Sequence, residues 1–223
     1  MFFTLFRKSV FSKLRSCVIR SNYKCLKLKS TKVMSNSECG ANNSLVWVDC
    51  EMSGLNYDED TIMEIALILT DSNLNEIDSL EPMAIKTDEY RLNTMNEWCR
   101  THHGNSGLTK ACLESNLTIE AADDILYEFL CKKNIDEGVL AGNSIAVDRI
   151  FLQKWCPKFC SRLHYRLMDV STVKELIKRW YPSETPFRKQ SAHRALDDIR
   201  ASIDELKYYK SKYFVPSTLS SSK

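Results

Sequence analysis

The chain has 223 residues, of which 43% are hydrophobic, and its 31 basic residues nearly balance its 29 acidic ones. This length suits one domain with a tail, and the hydrophobic fraction is ordinary for a globular protein. The nine cysteines include no CxxC pair, which argues against a zinc site or a disulfide framework and favours a reducing compartment.

Charge is distributed unevenly along the chain. Residues 1–37 hold nine of the basic residues and none of the acidic ones, which leaves 22 basic against 29 acidic residues in the remainder. A protein that binds long nucleic acids usually needs a basic surface, because neutralisation of phosphates supplies most of the non-specific affinity. The acidic body therefore favours a short substrate, or contacts confined to one small pocket.

The basic N-terminal segment has the composition of a targeting signal. In residues 1–35, apolar side chains are interleaved with cations at roughly helical spacing. This pattern is typical of a mitochondrial transit peptide, whereas a basic arm that helps to hold RNA is the alternative interpretation. We expect a mitochondrial protein, and a start at Met34 would give a cytoplasmic product. No segment approaches the ~20 apolar residues of a membrane span, so no membrane contact is expected.

Residues 36–214 carry the pattern of one α/β domain. Apolar, β-rich runs predict strands over 45–48, 62–70, a segment ending near 85–86, 139–141 and 163–168. Helical periodicity predicts helices over 89–101, 118–133, a stretch within 143–155, 173–180 and 192–210. This order indicates a mixed sheet covered by helices, followed by a disordered tail over 215–223.

The first candidate site residues are Asp49 and Glu51, which follow the first apolar run. Side chains two apart on a strand point to the same face, so both carboxylates can reach one site. Alone, an Asp-x-Glu pair is a weak motif, and two solvated acids at a strand end are the alternative. Its position where a buried strand runs into a loop strengthens the functional interpretation.

A third carboxylate, Asp148, follows a turn formed by Gly142 and Asn143. Ser144 is suited to cap the next helix, which places Asp148 in an early turn of that helix. An acid that complements the helix dipole is the alternative interpretation.

The last candidates are His193 and Asp198, five positions apart. On a regular helix this spacing is about 500°, so the two side chains would not share a face. Either His193 lies before the helix or its partner is Asp197, and periodicity leaves both possibilities open. A histidine of ordinary pKa near several carboxylates is suited to act as a general base.

Each of these carboxylates lies beside an apolar run, where an unpaired charge is costly to bury. Hard divalent cations bind oxygen ligands and supply a reason to keep acids there. Carboxylates together with a histidine therefore suggest two-metal hydrolysis of a phosphodiester.

Three blocks of sequence resemble a known family: Asp-x-Glu, Asn-Ser-x₃-Asp-Arg and His-x-Ala-x-Asp-Asp. They are similar to the signatures of DEDD-type 3′→5′ exonucleases of the histidine-bearing subclass. The strings VWVDCEMSGL, LHYRLMDVSTVKEL and SAHRALDDI narrow the resemblance to the oligoribonuclease family. The likeness runs from about residue 44 to 213.

The resemblance implies an RNase H-like fold with a mixed five-stranded sheet flanked by helices, and a homodimer. It implies two divalent ions, Mg²⁺ or Mn²⁺. The match to the family motif also selects Asp198 over Asp197. The implied metal ligands, which are also catalytic residues, are Asp49, Glu51, Asp148 and Asp198, with His193 as the base. The implied activity is 3′→5′ degradation of very short RNA, dinucleotides above all, to 5′ mononucleotides.

Further residues match substrate-binding positions of the family. The resemblance implies that Leu55, Trp98 and His103 contact the substrate and that Tyr165 reaches the site of a neighbouring subunit. It also implies a group around the 5′ phosphate, formed by Ser144, Arg166, Ser171 and Thr172. For Leu55, Trp98 and Tyr165, ordinary core packing is the alternative. The alternatives for the whole protein are a related exonuclease of longer RNA or DNA 3′ ends and an inactive RNA-binding module.

Overall fold

The computed structural model describes residues 43–183, 187 and 194–214. The predicted transit peptide with Met34, the predicted C-terminal tail and His193 all lie outside the described residues.

The strands of the described chain are β1 (Leu45–Met52), β2 (Ile62–Thr70), β3 (Glu76–Ala84), β4 (Gly138–Gly142) and β5 (Leu163–Asp169). The helices are α1 (Glu89–Thr94), α2 (Glu97–Asn105), α3 (Leu108–Glu114), α4 (Ile119–Lys132), α5 (Ala146–Trp155), α6 (Pro157–Cys160), α7 (Val170–Trp180) and α8 (Ala195–Tyr213). None of the helices in the described part of the chain is long and apolar enough to cross a membrane.

The five strands form one mixed sheet in the order β3-β2-β1-β4-β5. The first three strands form an antiparallel meander, and β4 and β5 run parallel to β1. The predicted mixed five-stranded sheet with helices is therefore confirmed. Pairing between β1 and β4 ends at Trp47 with Ala141, so the last residues of β1 project beyond β4.

Each face of the sheet has its own apolar core, because side chains alternate along each strand. On one face, Val46, Val48 and Cys50 of β1 pack with apolar residues of α4, α5 and α6. On the other face, Trp47 packs with apolar residues of α7 and α8. Asp49 and Glu51 have the same parity as Trp47, so they lie on the α8 side of the sheet.

The prediction of one helix over 89–101 is wrong, because the chain breaks at Met95, whose ψ of 149° is extended. Asn96 then starts α2 by accepting a hydrogen bond from the Cys99 N–H at 2.9 Å. Two short helices, α3 and α6, were not predicted. The first part of the predicted helix 192–210 lies outside the described residues, and α8 is described from Ala195.

The prediction that Ser144 caps α5 is also wrong. The helix begins after Ile145 without a side-chain cap. Ser144 has a φ of 53° and lies in the left-handed region, which is uncommon for a residue other than glycine. The Ser144 hydroxyl instead lies 3.1 Å from the Ser171 hydroxyl on α7.

Candidate active site

Three carboxylates converge where β1 projects beyond β4. Asp49, Glu51 and Asp198 each contribute one carboxylate oxygen to this cluster. These three oxygens all lie within 4.8 Å of one another. The first two come from one face of β1, which stays extended because it continues to pair with β2 as far as Met52. Asp198 comes from the first turn of α8.

Packing of α8 decides which of its two adjacent acids enters this cluster. Ala195, Ile199 and Ile203 are buried against the sheet with Trp47. Asp198 lies on the same buried face of α8. Its neighbour Asp197 is exposed. The structure therefore brings Asp198 and not Asp197 to the β1 carboxylates.

Asp148 reaches the end of β1 from the other face of the sheet. It lies in the first turn of α5 and is buried, and its Oδ1 accepts a hydrogen bond from the backbone N–H of Cys50 at 3.0 Å. This N–H belongs to the part of β1 that β4 does not reach. Asp148 therefore occupies the place that a continuing β4 would have filled.

Burial, together with neighbouring negative charge, raises the pKa values of two acids at this site. Burial raises the pKa of Glu51 to about 7, and the charges of Asp198, Glu64 and Asp148 act in the same direction. Burial also raises the pKa of Asp148 to about 7, against the opposing effect of the Cys50 N–H hydrogen bond. A group of acids that resists ionisation in this way is stabilised by a cation.

Glu64 is a site residue that the sequence interpretation missed. It is fully buried on β2, directly opposite Glu51 in the strand pairing. Its carboxylate accepts hydrogen bonds from Arg194 Nη2 at 2.8 Å and from the Ala195 N–H at 3.1 Å. Glu64 thus fixes the start of α8 on the sheet. An acid within the apolar run IMEIALILT was the available signal.

His103 is buried behind the cluster. Its Nε2 lies 2.9 Å from the Met52 carbonyl oxygen, which requires a proton on Nε2, and its Nδ1 lies 3.9 Å from Glu51 Oε2. The structure therefore places His103 against the backbone and side chain at the end of β1.

Three of the predicted contact residues are exposed. The exposed fractions are 76% for Leu55, 58% for Trp98 and 75% for Tyr165. These values exclude core packing as the explanation for the three residues. Leu55 lies in the loop that follows β1, and Trp98 lies on α2 with its ring 4.1 Å from that of His102. Tyr165 lies on β5, at the edge of the described sheet.

The structure brings together some of the residues that were expected to surround the 5′ phosphate. The hydroxyls of Ser144 and Ser171 lie 3.1 Å apart, and Thr172 lines the same hollow as Ser171. Arg166 lies elsewhere, in a hollow of about 270 Å³ that it lines with Ser44, Gly138 and His164. In this chain the two serines and the threonine are thus close together, whereas Arg166 is separate from them.

Comparisons with known proteins define the class to which this fold and acidic cluster belong. A family model described as exonuclease (RNase_T) matches residues 46–206. The chain is 48% identical over 176 residues to the mitochondrial oligoribonuclease of Homo sapiens, with 76% of this chain and 73% of that protein covered. It is 46% identical over 177 residues to the oligoribonuclease of Hydrogenovibrio crunogenus, with 78% of this chain and 96% of that protein covered. The chain belongs to the oligoribonuclease family of exonucleases.

Solved structures support the fold. Exonuclease I from Methylocaldum szegediense superposes with a TM-score of 0.58 at 19% identity, and Escherichia coli exonuclease I with a dT13 oligonucleotide gives a TM-score of 0.56 at 16% identity. Each comparison covers 76% of this chain but only 41% of the other, so this chain spans about two-fifths of those proteins. The likeness confirms the exonuclease, RNase H-like fold.

Proposed function

We propose that this protein is a 3′→5′ exoribonuclease that degrades very short RNA, with dinucleotides favoured, and releases 5′ mononucleotides. The observation that carries the proposal is the convergence of Asp49, Glu51 and Asp198 at the projecting end of β1, in a chain of the oligoribonuclease family. The acidic body agrees with a short substrate.

The cluster fits divalent metal ions. Its donors are all carboxylate oxygens, which Mg²⁺ and Mn²⁺ prefer. The pKa of Glu51 is raised by burial first and by neighbouring negative charges second, and a bound cation would offset both effects. Asp49, Glu51, Asp148 and Asp198 would hold two such ions. When bound, these ions would lower the pKa of the attacking water and offset charge on the scissile phosphate.

The protein side chains would perform the remaining tasks. We assign the removal of the proton from the attacking water to His193, which precedes α8. Leu55 and Trp98 would stack on bases, and such contacts contribute about 1–3 kcal/mol per base. Ser144, Ser171 and Thr172 would bind the 5′ phosphate, and a phosphate held at that end would favour a two-residue substrate. Arg166 would join them only from a second subunit or after a local rearrangement.

A homodimer is part of the proposal. Along β5, Tyr165 is 75% exposed and Met168 is 38% exposed, and in the described sheet the outer edge of β5 is unpaired. Trp180 at the end of α7 is 66% exposed. A partner that covers these side chains would receive Tyr165 in its own site.

Mitochondrial localisation is supported by the names of mammalian relatives and by the basic composition of residues 1–35. Fusion of residues 1–35 to a fluorescent protein tests it, with mitochondrial signal expected. A diffuse cytosolic signal would contradict the assignment, and a second product starting at Met34 would appear as a separate cytosolic band.

The central experiment measures the purified protein with Mn²⁺ on 5′-labelled RNAs of two to twenty nucleotides and on matched DNA. We expect the dinucleotide to be cleaved fastest, with mononucleotide products and full inhibition by EDTA. Preference for the twenty-nucleotide RNA or for DNA would instead support a related exonuclease of longer 3′ ends.

A further inference from the structure

A lysine of α5 reaches across to the loop between β1 and β2. Lys154 Nζ donates hydrogen bonds to the carbonyl oxygens of Tyr57 and Asp58, at 2.5 Å and 3.2 Å. The same ammonium lies over the rings of Tyr57 and Trp155, 5.0 Å and 4.7 Å from their centroids. Such contacts are favourable because a cation is attracted to the face of an aromatic ring. One lysine therefore contacts both the backbone and a side chain of this loop.

An aromatic contact from the same helix accompanies the lysine. The Phe151 ring belongs to the buried core on one face of the sheet, and it meets the Tyr57 ring edge-on, with the two centroids 6.0 Å apart. Phe151 precedes Lys154 by three residues, so the two side chains lie on the same side of α5. Tyr57 is thus held by a ring that the core fixes in place and by an ammonium beside it.

Hydrogen bonds within the loop give it its shape. The Asn56 carbonyl oxygen accepts from the N–H of Asp60 at 2.7 Å and from that of Glu59 at 3.2 Å. Asn56 Oδ1 accepts from the Asp58 N–H at 3.1 Å. Bonds of this kind fix the shape of a turn, whereas its place on the molecule depends on contacts with other elements. Lys154 supplies such contacts from α5.

We propose that Lys154 is a positioning residue that holds the loop carrying Leu55 in place for the binding of short RNA. This inference rests on the proposed function, in which Leu55 stacks on a base. Leu55 lies two residues before Tyr57 and is exposed, so its place depends on where the loop is anchored. The same helix carries Asp148, a proposed metal ligand, in its first turn. Lys154 thereby ties the proposed base contact to the helix that delivers a metal ligand.

The first test measures the kinetics of Lys154→Met on a dinucleotide with Mn²⁺, using the full-length protein. The variant keeps an apolar stem and loses the ammonium. We expect KM to rise about tenfold, because a loop placed correctly only about a tenth of the time lowers the apparent affinity by that factor. The value of kcat should stay near that of the wild type, because saturating substrate selects the competent loop and the proposed metal ligands are unchanged.

Two further variants control for charge. Lys158→Met removes the same charge four residues later, from a lysine that pairs with Asp124, and should leave KM unchanged. Lys154→Arg keeps a cationic donor at the original position and should recover most of the lost affinity.

A double-mutant cycle with Leu55→Ala tests whether Lys154 acts through Leu55. Once the Leu55 side chain is gone, Lys154→Met should raise KM little further. Chymotrypsin cleavage after Tyr57 measures the anchoring of the loop without any need for activity. It should be faster in Lys154→Met than in the wild type or in Lys158→Met, because the released loop opens more often.

An unchanged KM in Lys154→Met would overturn the inference, as would an equal rise in Lys158→Met or additive effects with Leu55→Ala. A fall in kcat without a rise in KM would also overturn it, because Lys154 would then act on the catalytic centre and not on the loop. In each of these cases the proposed exonuclease activity would stand. A wild type without activity on any RNA would remove the proposed function itself, and with it the role of Lys154 in RNA binding.

Discussion

Asp197 and Asp198 are adjacent in sequence but lie in opposite surroundings. Asp198 is buried beside Asp49 and Glu51, whereas Asp197 is exposed on the outer side of α8. The sequence spacing from His193 could not distinguish the two aspartates. The rotation of the helix about its axis decides which of them faces the cluster, and spacing does not give this rotation. The apolar residues Ala195, Ile199 and Ile203 decide the matter, since they orient the helix on the sheet.

This pair gives a matched test of the carboxylate cluster. Asp198→Asn should reduce kcat/KM on a dinucleotide by at least about 100-fold, because it removes a negative ligand from the proposed metal site. Asp197→Asn, with the same change of charge at the exposed position, should retain nearly full activity. Steady-state hydrolysis with Mn²⁺ measures both, and equal losses in the two variants would mean that Asp198 has no special role.

At the scale of elements, the Asp60 side chain ties together the loop between β1 and β2. Asp60 accepts hydrogen bonds from Ser53 Oγ at 2.7 Å and from the Asn56 N–H at 2.8 Å. Leu55 lies between these two anchor points and is exposed. The absence of a side chain at Gly54 permits the close approach, because an added Cβ would lie 2.3 Å from Asp60 Oδ2.

Gly54→Ala should therefore displace Asp60, loosen the loop and misplace Leu55. We expect KM for a dinucleotide to rise about tenfold, as for the loss of one or two hydrogen bonds to a charged group. Gly104→Ala on α2 is the control, because its added Cβ would meet nothing within 4 Å. That control should keep its activity and gain about 0.5–1 kcal/mol of stability, measured by thermal unfolding. Unchanged kinetics in Gly54→Ala would show that the loop does not position the substrate.

The strands could be predicted from the sequence more securely than the helices between them. The nine residues of β2 are all buried and form an unbroken apolar run apart from Glu64 and Thr70, so their pattern is unambiguous. The break at Met95 could not be predicted, because residues on both sides have helical periodicity and the Asn96 cap competes with helix continuation. The meeting of Asp148 with Cys50 also depends on β4 ending early, which a local pattern does not encode.

At the scale of the whole molecule, the acidic cluster couples stability to pH. The folded chain raises the pKa values of Glu51 and Asp148 to about 7 from ordinary values of 4.5 and 3.8. Between those values the folded state binds more protons than the unfolded state, so the metal-free protein loses stability as the pH rises toward 7. Well above pH 7 both acids are ionised, so the cost of burying their charges and the repulsion from neighbouring acids are fully expressed.

A divalent ion should relieve this repulsion, and only where the acids are ionised. The rise in Tm on replacing EDTA with Mn²⁺ should therefore be larger at pH 8 than at pH 5, measured by differential scanning fluorimetry. Asp198→Asn serves as the control and should reduce the rise at pH 8. Equal increases at the two pH values would argue against binding to these carboxylates.

The proposed dimer predicts that two defective chains can restore one active site. In the Tyr165→Ala homodimer, neither active site receives a tyrosine from the neighbouring subunit. In the Asp198→Asn homodimer, both sites lack a metal ligand. Each homodimer should therefore be nearly inactive. Mixed dimers would contain one site with both groups intact. We expect activity to return after the two proteins are co-expressed and purified as a heterodimer through different tags. A heterodimer no more active than its parents would contradict a shared site.

The apolar cores on the two faces of the sheet have a consequence for the order in which the protein folds. Asp148 is delivered by α5, which packs on one side of the sheet, and Asp198 by α8, which packs on the other. A folding intermediate with only one side assembled would therefore lack part of the acidic set. Metal binding would then be a late event during refolding. The luminescence of a bound lanthanide would therefore increase only when both faces of the sheet have folded.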